Sequence, residues 1–369
     1  MKKRFSTPFT AALLKKRGFV ACVILFLSLP LAAQKKYEAP QLSSPDSWTM
    51  ILLPDPQTYV KFERNQPILD LMMAWISENI DHLNIKMVLC TGDLVEQNEM
   101  INPDGRATNQ PSKSQWESVS GAFARLDGKV PYITATGNHD YGYKNIENRK
   151  SNFNRYFPVD KNHLNQKLLR EVALNAEGIP TLENAVFELP SPQGKKMLFI
   201  TLEFAPRNNI VDWAKELVNT DKYKDHTVVL LTHSYLNAKN EHIVQENYPI
   251  DDGNYGKAVF EKLVKPSKNI RMVFSGHIGS PDDFRGHVGF RTDSNAAGQK
   301  VQQMVFNAQA LGGGWSGNGG DGWLRILEFM PDGQTVHVKT FSPLFAISPT
   351  TQKHAWQKAD YNEFSFTID

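Results

Sequence analysis

Short apolar runs alternate with polar segments and amphipathic stretches through most of this chain. The apolar runs predict buried strands, and the stretches whose apolar residues recur every three to four positions predict helices. We predict strands over residues 49–53, 87–90, 132–134, 197–202, 227–231 and 271–274, and helices over 67–79, 114–126, 210–218 and 255–263. Strands that alternate with helices indicate an α/β sheet.

The pattern changes after Gly286, where strand-like runs dominate. Predicted strands follow at 301–306, 323–329, 335–341 and 364–368, with Pro331-Asp-Gly as a turn between two of them. We therefore predict one domain over residues 48–369, with a mainly β C-terminal half, behind a Pro-containing linker over 34–47. Residues 141–184 are polar and lack a clear period, which indicates an insertion of loops that caps the domain.

The N-terminus has the layout of an export signal. A basic stretch ends at Arg17, an apolar run covers residues 19–29, and the small residues Ala32 and Ala33 precede polar ones. This layout predicts a signal peptide over residues 1–33, and hence a periplasmic or secreted protein. An uncleaved anchor is the alternative, and a lipoprotein attached through Cys22 is a weaker one. No other segment is apolar enough to predict a membrane span, so none is expected after signal removal.

Charge and cysteine content narrow the class of protein. The 41 Lys and Arg residues face 39 Asp and Glu residues, but six of the basic ones lie in the first 33 residues. The remainder is mildly acidic, which argues against nucleic acid as a stable partner. Cys90 is the only cysteine left after signal removal, so no intramolecular disulfide is expected, and we interpret Cys90 as a buried strand thiol.

Several predicted strands are followed directly by a polar side chain of a type that binds metals. These residues are Asp55 and Gln57, Asp93, Asn138 with His139, His233 and His277. The carboxyl ends of parallel strands meet at one edge of a sheet, which is where α/β proteins bind ligands. A set of oxygen and imidazole donors without thiolate suits Mn, Fe, Zn or Mg.

These motifs resemble those of the calcineurin-like metallophosphoesterases. The segments that carry the resemblance are Asp55-Pro-Gln57, Gly92-Asp93, Gly137-Asn138-His139-Asp140, the lone His233 and Gly276-His277. The resemblance implies a four-layer α/β/β/α sandwich with two mixed β-sheets face to face and the metal site at the C-terminal strand ends. It also implies a dinuclear centre bridged by Asp93. Asn138, His233 and His277 would complete one site, and Asp55 and Gln57 would belong to the other. His139 would assist the leaving group, and Glu96 would orient His139.

Two positions depart from the family pattern. Gln57 stands where a His is usual, and Gly279 stands where the last His ligand is expected. Asp282, Asp283 and His287 lie just downstream and are candidate replacements, although a surface loop role is the simpler interpretation of each. Glu203 follows another strand and is interpreted either as an acceptor that orients a ligand His or as an ordinary strand-end carboxylate.

Two further segments are candidates for substrate contacts. The Gly-rich segment 312–323 carries Trp315, which is left open as a stacking residue, and Trp323, which we predict to be in the core; Asn318 and Asp321 are candidate hydrogen-bonding residues. The insertion offers further groups that could contact a phosphate: Tyr141, Tyr143, Lys144, Arg149 and Arg155.

The expected function is that of an exported hydrolase with one or two divalent metal ions. It would cleave a phosphomonoester or phosphodiester, of a small molecule, lipid or sugar, by direct attack of a metal-bound hydroxide. The alternative is a catalytically weak, metal-stabilised binding protein on the same fold, motivated by the departures at Gln57 and Gly279. A serine hydrolase lacks support, because no Gly-x-Ser-x-Gly segment occurs. The sequence leaves the substrate, the metal and the oligomeric state open.

Overall fold

Two mixed β-sheets, each of seven strands, make up the centre of the protein. The computed structural model describes residues 37–368, so the predicted signal peptide lies outside the described residues. The strands are β1 (Trp48–Leu53), β2 (Ile85–Cys90), β3 (Tyr132–Thr134), β4 (Leu169–Leu174), β5 (Pro180–Pro190), β6 (Lys196–Thr201), β7 (Thr227–Leu231), β8 (Ile270–Ser275), β9 (Val288–Ser294), β10 (Lys300–Phe306), β11 (Leu324–Phe329), β12 (Thr335–Phe341), β13 (Trp356–Gln357) and β14 (Phe364–Thr367).

Helices connect many of the strands, most of them in the first two thirds of the chain. They are α1 (Gln57–Val60), α2 (Gln66–Glu78), α3 (Ser112–Ala124), α4 (Phe153–Tyr156), α5 (His163–Leu168), α6 (Asn208–Val218), α7 (Gly256–Val259) and α8 (Pro343–Ala346). The predicted helix over 255–263 is present as α7, which continues as a π-helical turn over Phe260–Val264. No helix within residues 37–368 combines the length and apolar character that crossing a membrane requires.

The strand order places the parallel strands of each sheet side by side. The first sheet runs β13-β12-β11-β1-β2-β3, with β14 also paired to β12, and the second runs β4-β5-β6-β7-β8-β10-β9. Strands β1, β2 and β3 are parallel in the first sheet. Strands β6, β7, β8 and β10 are parallel in the second sheet. Each sheet therefore presents several carboxyl strand ends at one edge.

The alternation of side chains along the strands explains how the sheets and helices pack in layers. In the second sheet, Phe199 and Phe274 belong to a buried cluster that includes residues of the first sheet and of α2 and α3. Their neighbours Leu198 and Val273 belong to another cluster, with α6 and α7. One face of the second sheet thus packs against the first sheet and the other face against helices, because successive strand residues point to opposite faces. The predicted four-layer α/β fold is confirmed.

Residues 141–184, predicted as an insertion of loops, contain more regular structure than predicted. They contain α4, α5, β4 and the first part of β5, and β4 and β5 form one edge of the second sheet. The periodicity was not visible in sequence because the side chains of β4 are half-buried or exposed, and because buried positions of β5 include the polar Glu183 and Asn184.

Candidate metal centre

Residues from the strand ends of both sheets converge at one place. The Nε2 atom of His233, after β7, lies 3.1 Å from Oδ2 of Asp93, after β2. The same Nε2 lies 3.2 Å from Nδ1 of His277, after β8. That Nδ1 lies 3.0 Å from Oδ1 of Asn138, after β3. The ligand atoms of Asp93, His233 and His277 all lie within 4.8 Å of one another, close enough for the three residues to be candidate ligands of one metal ion.

The outer nitrogens of both imidazoles are held by acceptors. Nδ1 of His233 lies 2.8 Å from the carbonyl oxygen of Thr91. Nε2 of His277 lies 2.7 Å from Oε1 of Glu246. Because carbonyl and carboxylate oxygens accept, these nitrogens carry the ring hydrogen. In the neutral rings, the lone pairs of His233 Nε2 and His277 Nδ1 face the shared space, as in imidazoles that bind a cation.

The glycines of the motifs leave room for the carboxylates. A Cβ atom on Gly137 would lie 2.1 Å from Oδ1 of Asp93, and one on Gly276 would lie 2.1 Å from Oδ1 of Asp55. Asp93 and His277 have φ of 48° and 77°, in the left-handed region that non-glycine residues seldom occupy. Strained backbone of this kind is found at functional sites, where the surrounding structure maintains it.

The charges at this centre are strongly coupled. Burial raises the pKa of Asp55 to about 6. Burial alone would lower the pKa of His233, but the carboxylates of Asp93 and Asp55 raise it to about 10. The pKa of Asp93 lies well below its usual range in spite of burial, because His233 and His139 favour the carboxylate. The centre therefore favours positive charge beside Asp93, and a divalent cation supplies it without a proton.

Asp55 and Gln57 lie next to this centre, where the main-chain nitrogen of Gln57 donates to the carbonyl oxygen of Asp93 at 3.0 Å. Oδ1 of Asp55 accepts a hydrogen bond from Thr91 at 2.7 Å, and Oδ2 accepts from the main-chain nitrogen of His277 at 2.9 Å. The side chain of Gln57 donates through Nε2 to Oε2 of Glu96 at 3.0 Å. Oε1 of Gln57 is buried and has no hydrogen-bond partner. A buried oxygen without a donor fits a ligand for a cation.

The structure places His139 next to Asp93 but changes the expected part of Glu96. The main-chain nitrogen of His139 donates to Oδ1 of Asp93 at 3.0 Å. Its Nδ1 lies 2.6 Å from the carbonyl oxygen of Glu96, and not from the carboxylate. That carboxylate instead accepts from Lys61 Nζ at 3.1 Å and from Gln57. Glu96 therefore contacts His139 through its main chain, while its side chain positions the amide of Gln57.

Glu203 does not orient a ligand histidine. Its carboxylate accepts from Arg207 Nε at 2.7 Å and from Asn184 Nδ2 at 2.9 Å. It also pairs with Arg149 of the cap at 3.6 Å. Arg149 further donates to the main-chain carbonyl of Ala205. These contacts fasten the cap to the end of β6, so Arg149 holds the cap in place.

Of the other residues in 141–184 that are candidates for contacting a phosphate, one is buried and three are exposed. Tyr141 is buried and donates to Glu183 at 2.7 Å, whereas Tyr143, Lys144 and Arg155 are exposed.

In the Gly-rich segment the polar candidates bond to each other. Asn318 Nδ2 donates to Asp321 Oδ1 at 2.6 Å, so these two residues shape the loop. Trp323 is 2% exposed and lies in the core as predicted, whereas Trp315 is 42% exposed. Of the candidates near Gly279, Asp282 and Asp283 are exposed and His287 is buried.

Sequence reasoning missed several residues that hydrogen-bond to the centre, among them Thr91, Asn145, Glu246, Asn307 and Gln309. Two of them had a usable signal. Asn307-Ala-Gln309 follows the predicted strand β10, which is parallel to β8, so the strand-end rule that identified His277 applies to them as well. Glu246 lies in a long loop, and no spacing marks it.

Comparison with known proteins identifies the family. A family model described as calcineurin-like phosphoesterase matches residues 55–281, which is more than half of the chain. The chain therefore belongs to the calcineurin-like phosphoesterases, as its motifs indicate. Members of this family typically bind divalent metal ions, and the group of Asp93, His233 and His277 is a possible site for one.

The chain is also similar to a bacterial protein and to a solved structure. The chain is 28% identical over 327 residues to a protein of Bacillus subtilis (strain 168) named "Uncharacterized protein YvnB". That alignment covers 88% of this chain and 22% of the relative, so the chain spans about a fifth of the relative's length. A solved structure described as "GAP50 the anchor in the inner membrane complex of Plasmodium" is similar with a TM-score of 0.42 and 11% identity, over 88% of this chain and 89% of that one.

Proposed function

We propose that this chain is a metal-dependent phosphoesterase that hydrolyses a phosphomonoester or phosphodiester by direct attack of water, without a covalent enzyme intermediate. The family membership supports a hydrolase of phosphoester bonds. The observation that carries the proposal is the placement of His139. Its ring is fixed through Nδ1 to the Glu96 carbonyl, beside the carboxylate of Asp93.

Three features of the candidate ligands fit divalent cations. They are the neighbouring carboxylates, the imidazole nitrogens that face the shared space, and the oxygen of Gln57 that has no hydrogen-bond partner. Asp93, Asn138, His233 and His277 would hold one cation, and Asp55, Gln57 and Asp93 a second. Bound cations would neutralise the phosphoester and lower the pKa of the attacking water.

His139 would exchange a proton with the leaving group. Since Nδ1 carries the hydrogen that meets the Glu96 carbonyl, Nε2 is the ring atom that takes up or gives a proton. The ring is half-buried, so it can reach a bound ester while its main chain stays on Asp93. A positioned donor of this kind contributes about 10²- to 10⁴-fold to a rate.

We further propose that the protein is exported, which rests on the N-terminal pattern of the sequence. Export favours substrates found outside the cytoplasm, such as small-molecule, lipid or sugar phosphoesters. The fold itself does not select among these esters, because one fold supports many reactions.

His139→Ala tests the proton-donor role. Turnover should fall by about 10²- to 10⁴-fold with an alkyl or phenyl ester, and much less with a p-nitrophenyl ester, whose leaving group needs no proton. Elemental analysis should show unchanged metal content, and His354→Ala, at an exposed position, is the matched control.

Three results would contradict this role of His139. Metal loss parallel to the loss of activity would make His139 a ligand. An equal effect on both esters would make it structural. Unchanged turnover would exclude it from the reaction.

The alternative is a metal-stabilised binding protein, and the absence of a ligand side chain at Gly279 favours it. A wild-type protein that binds metal but turns over neither a monoester nor a diester, with Mn, Fe, Zn and Mg each supplied, would support that alternative.

A further inference from the structure

Gly279 has no side chain where the family pattern places a His, and the side chains of Trp315 and His287 lie against this position. A Cβ atom on Gly279 would lie 2.9 Å from Cη2 of Trp315 and 3.2 Å from Cε1 of His287. The first distance is shorter than real Cβ contacts, so the indole would have to move. Because glycine offers no ligand side chain, a further side-chain ligand for the second cation would have to come from another residue.

Gln309 lies at the right place for this role. It follows β10 at the same edge as His277, because β10 and β8 are parallel. Its main-chain carbonyl accepts from Oγ1 of Thr58 at 2.9 Å, next to Gln57 in the chain. Its side chain is 2% exposed, and Nε2 lies 3.4 Å from Oδ2 of Asp55.

The carboxylates fix the orientation of both amides. A carboxylate accepts and does not donate, so the NH₂ groups of Gln57 and Gln309 must face Glu96 and Asp55. The Oε1 atom of each amide is buried and has no hydrogen-bond partner. A buried acceptor without a partner lowers stability unless something satisfies it. Gln309 contacts Asp55, and Gln57 lies two positions after Asp55 in the chain, so one cation beside Asp55 would be a partner for both oxygens.

We propose that Gln309 supplies the ligand oxygen that Gly279 cannot, and that Asp55, Asp93, Gln57 and Gln309 form an all-oxygen site for the second cation. This inference rests on the proposed function. The other site has two imidazoles, from His233 and His277. Oxygen donors select hard cations such as Mg²⁺ or Mn²⁺, whereas imidazole suits Zn²⁺ and Fe. The centre would therefore hold two unlike cations.

His287 is the competing candidate. Its Nδ1 is buried and without a partner, and its Nε2 lies 2.5 Å from the carbonyl oxygen of Ser280. Its link to the centre is indirect, through a main-chain bond from Asn307 at 2.9 Å. Gln309 contacts Asp55 itself, so we assign the ligand to Gln309.

The test is a sequential metal titration of the full chain after its metals have been removed. One equivalent of Zn²⁺ is added first, and Mn²⁺ binding is then followed by calorimetry and by the EPR signal of free Mn²⁺. Wild type should bind both. Gln309→Leu should bind Zn²⁺ normally and Mn²⁺ at least about tenfold more weakly. Without metal, its thermal midpoint should be unchanged or higher, because the substitution removes a buried oxygen without a partner while Asp55 keeps its hydrogen bonds from Thr91 and His277.

Controls separate the possible outcomes. Gln302→Leu removes a buried glutamine of β10 that bonds to Thr292 and Thr367, and should leave Mn²⁺ binding unchanged. Gln309→Glu keeps a ligand oxygen and should bind Mn²⁺ at least as tightly as wild type. This variant tests the same position if the Gln309→Leu protein does not fold.

Normal Mn²⁺ affinity in Gln309→Leu would overturn the proposal. Weakened Mn²⁺ binding in His287→Ala, with Gln309→Leu unaffected, would assign the ligand to His287. A wild type that binds neither metal would contradict the proposed function itself.

Discussion

At the scale of single residues, the least expected feature is the carboxylate that holds His277. Oε1 of Glu246 lies 2.7 Å from Nε2 of His277, and Oε2 accepts from Oγ of Ser234 at 3.2 Å. The rings of Phe204 and Tyr248 flank the imidazole, with centroids 6.1 and 6.5 Å away. Glu246 thus sets both the tautomer and the angle of His277, in the way that carboxylates behind metal-bound histidines do.

Glu246→Leu should weaken metal binding although it removes no ligand. We expect the affinity of the imidazole site for Zn²⁺ to fall by about 10- to 100-fold, because His277 loses the acceptor that fixes its ring. Calorimetric titration of the metal-stripped chain measures this. Glu241→Leu is the control, since Glu241 is exposed and bonds to Asn237 in the same loop. Equal affinities for the two variants would mean that Glu246 does not position His277.

Residues at strand ends were predictable, and those supplied by loops were not. Asp55, Asp93 and His233 each follow a recognisable apolar strand, and parallel strands bring such ends together. Glu246 reaches His277 from a segment without regular structure, 31 positions away in the chain. A contact of that kind depends on how the loop folds back, which local pattern does not determine.

At the scale of elements, the strands that could be predicted from the sequence are mostly those whose side chains are buried. Strands buried on both faces, such as β1 and β8, stand out as largely apolar runs. Strand β9, with the sequence Val-Gly-Phe-Arg-Thr-Asp-Ser, lies at the edge of the second sheet and is mostly half-exposed. An edge strand has little need of apolar side chains, so its hydrogen bonds to β10 form without a signal in the sequence.

The segment before β1 is fastened to the first sheet. The hydroxyl groups of Ser43 and Ser47 donate to the carboxylate of Glu328 on β11, at 2.8 and 2.6 Å. Lys339 on β12 donates to the same carboxylate at 2.7 Å. Burial would raise the pKa of Glu328, but these hydrogen bonds outweigh it and lower the pKa below its usual range.

This carboxylate should make stability depend on pH. A lowered folded-state pKa means that Glu328 stabilises the fold above pH 4.5, its ordinary value, and that this contribution is lost as pH falls through the lowered pKa. Glu328→Gln should therefore reduce the free energy of unfolding at pH 7, and the gap to wild type should shrink at about pH 3.

Denaturant unfolding at both pH values measures the effect. Glu363→Gln, which removes an exposed partner of Lys358, should differ little from wild type at either pH. A gap between Glu328→Gln and wild type that is the same at both pH values would show that the pKa of Glu328 is not lowered by folding.

At the scale of the whole molecule, the sandwich gathers donors from strands that are distant in the sequence. Asp55 and His277 are 222 positions apart, yet the main-chain nitrogen of His277 donates to Oδ2 of Asp55 at 2.9 Å. The fold and the four-residue set around His233 could be anticipated from motif order. The fold does not select the substrate, since one scaffold supports many reactions. The signal peptide, the domain limits at residues 33 and 47 and export to the periplasm or beyond stay predictions.

The most direct test of the account measures metal content and turnover on one sample, purified without chelator. Elemental analysis should give about two metal ions per chain, with hydrolysis of a chromogenic monoester or diester that chelation abolishes and added metal restores. A protein that binds no Mn, Fe, Zn or Mg, or one that hydrolyses either ester equally well after complete metal removal, would contradict a metal-dependent phosphoesterase.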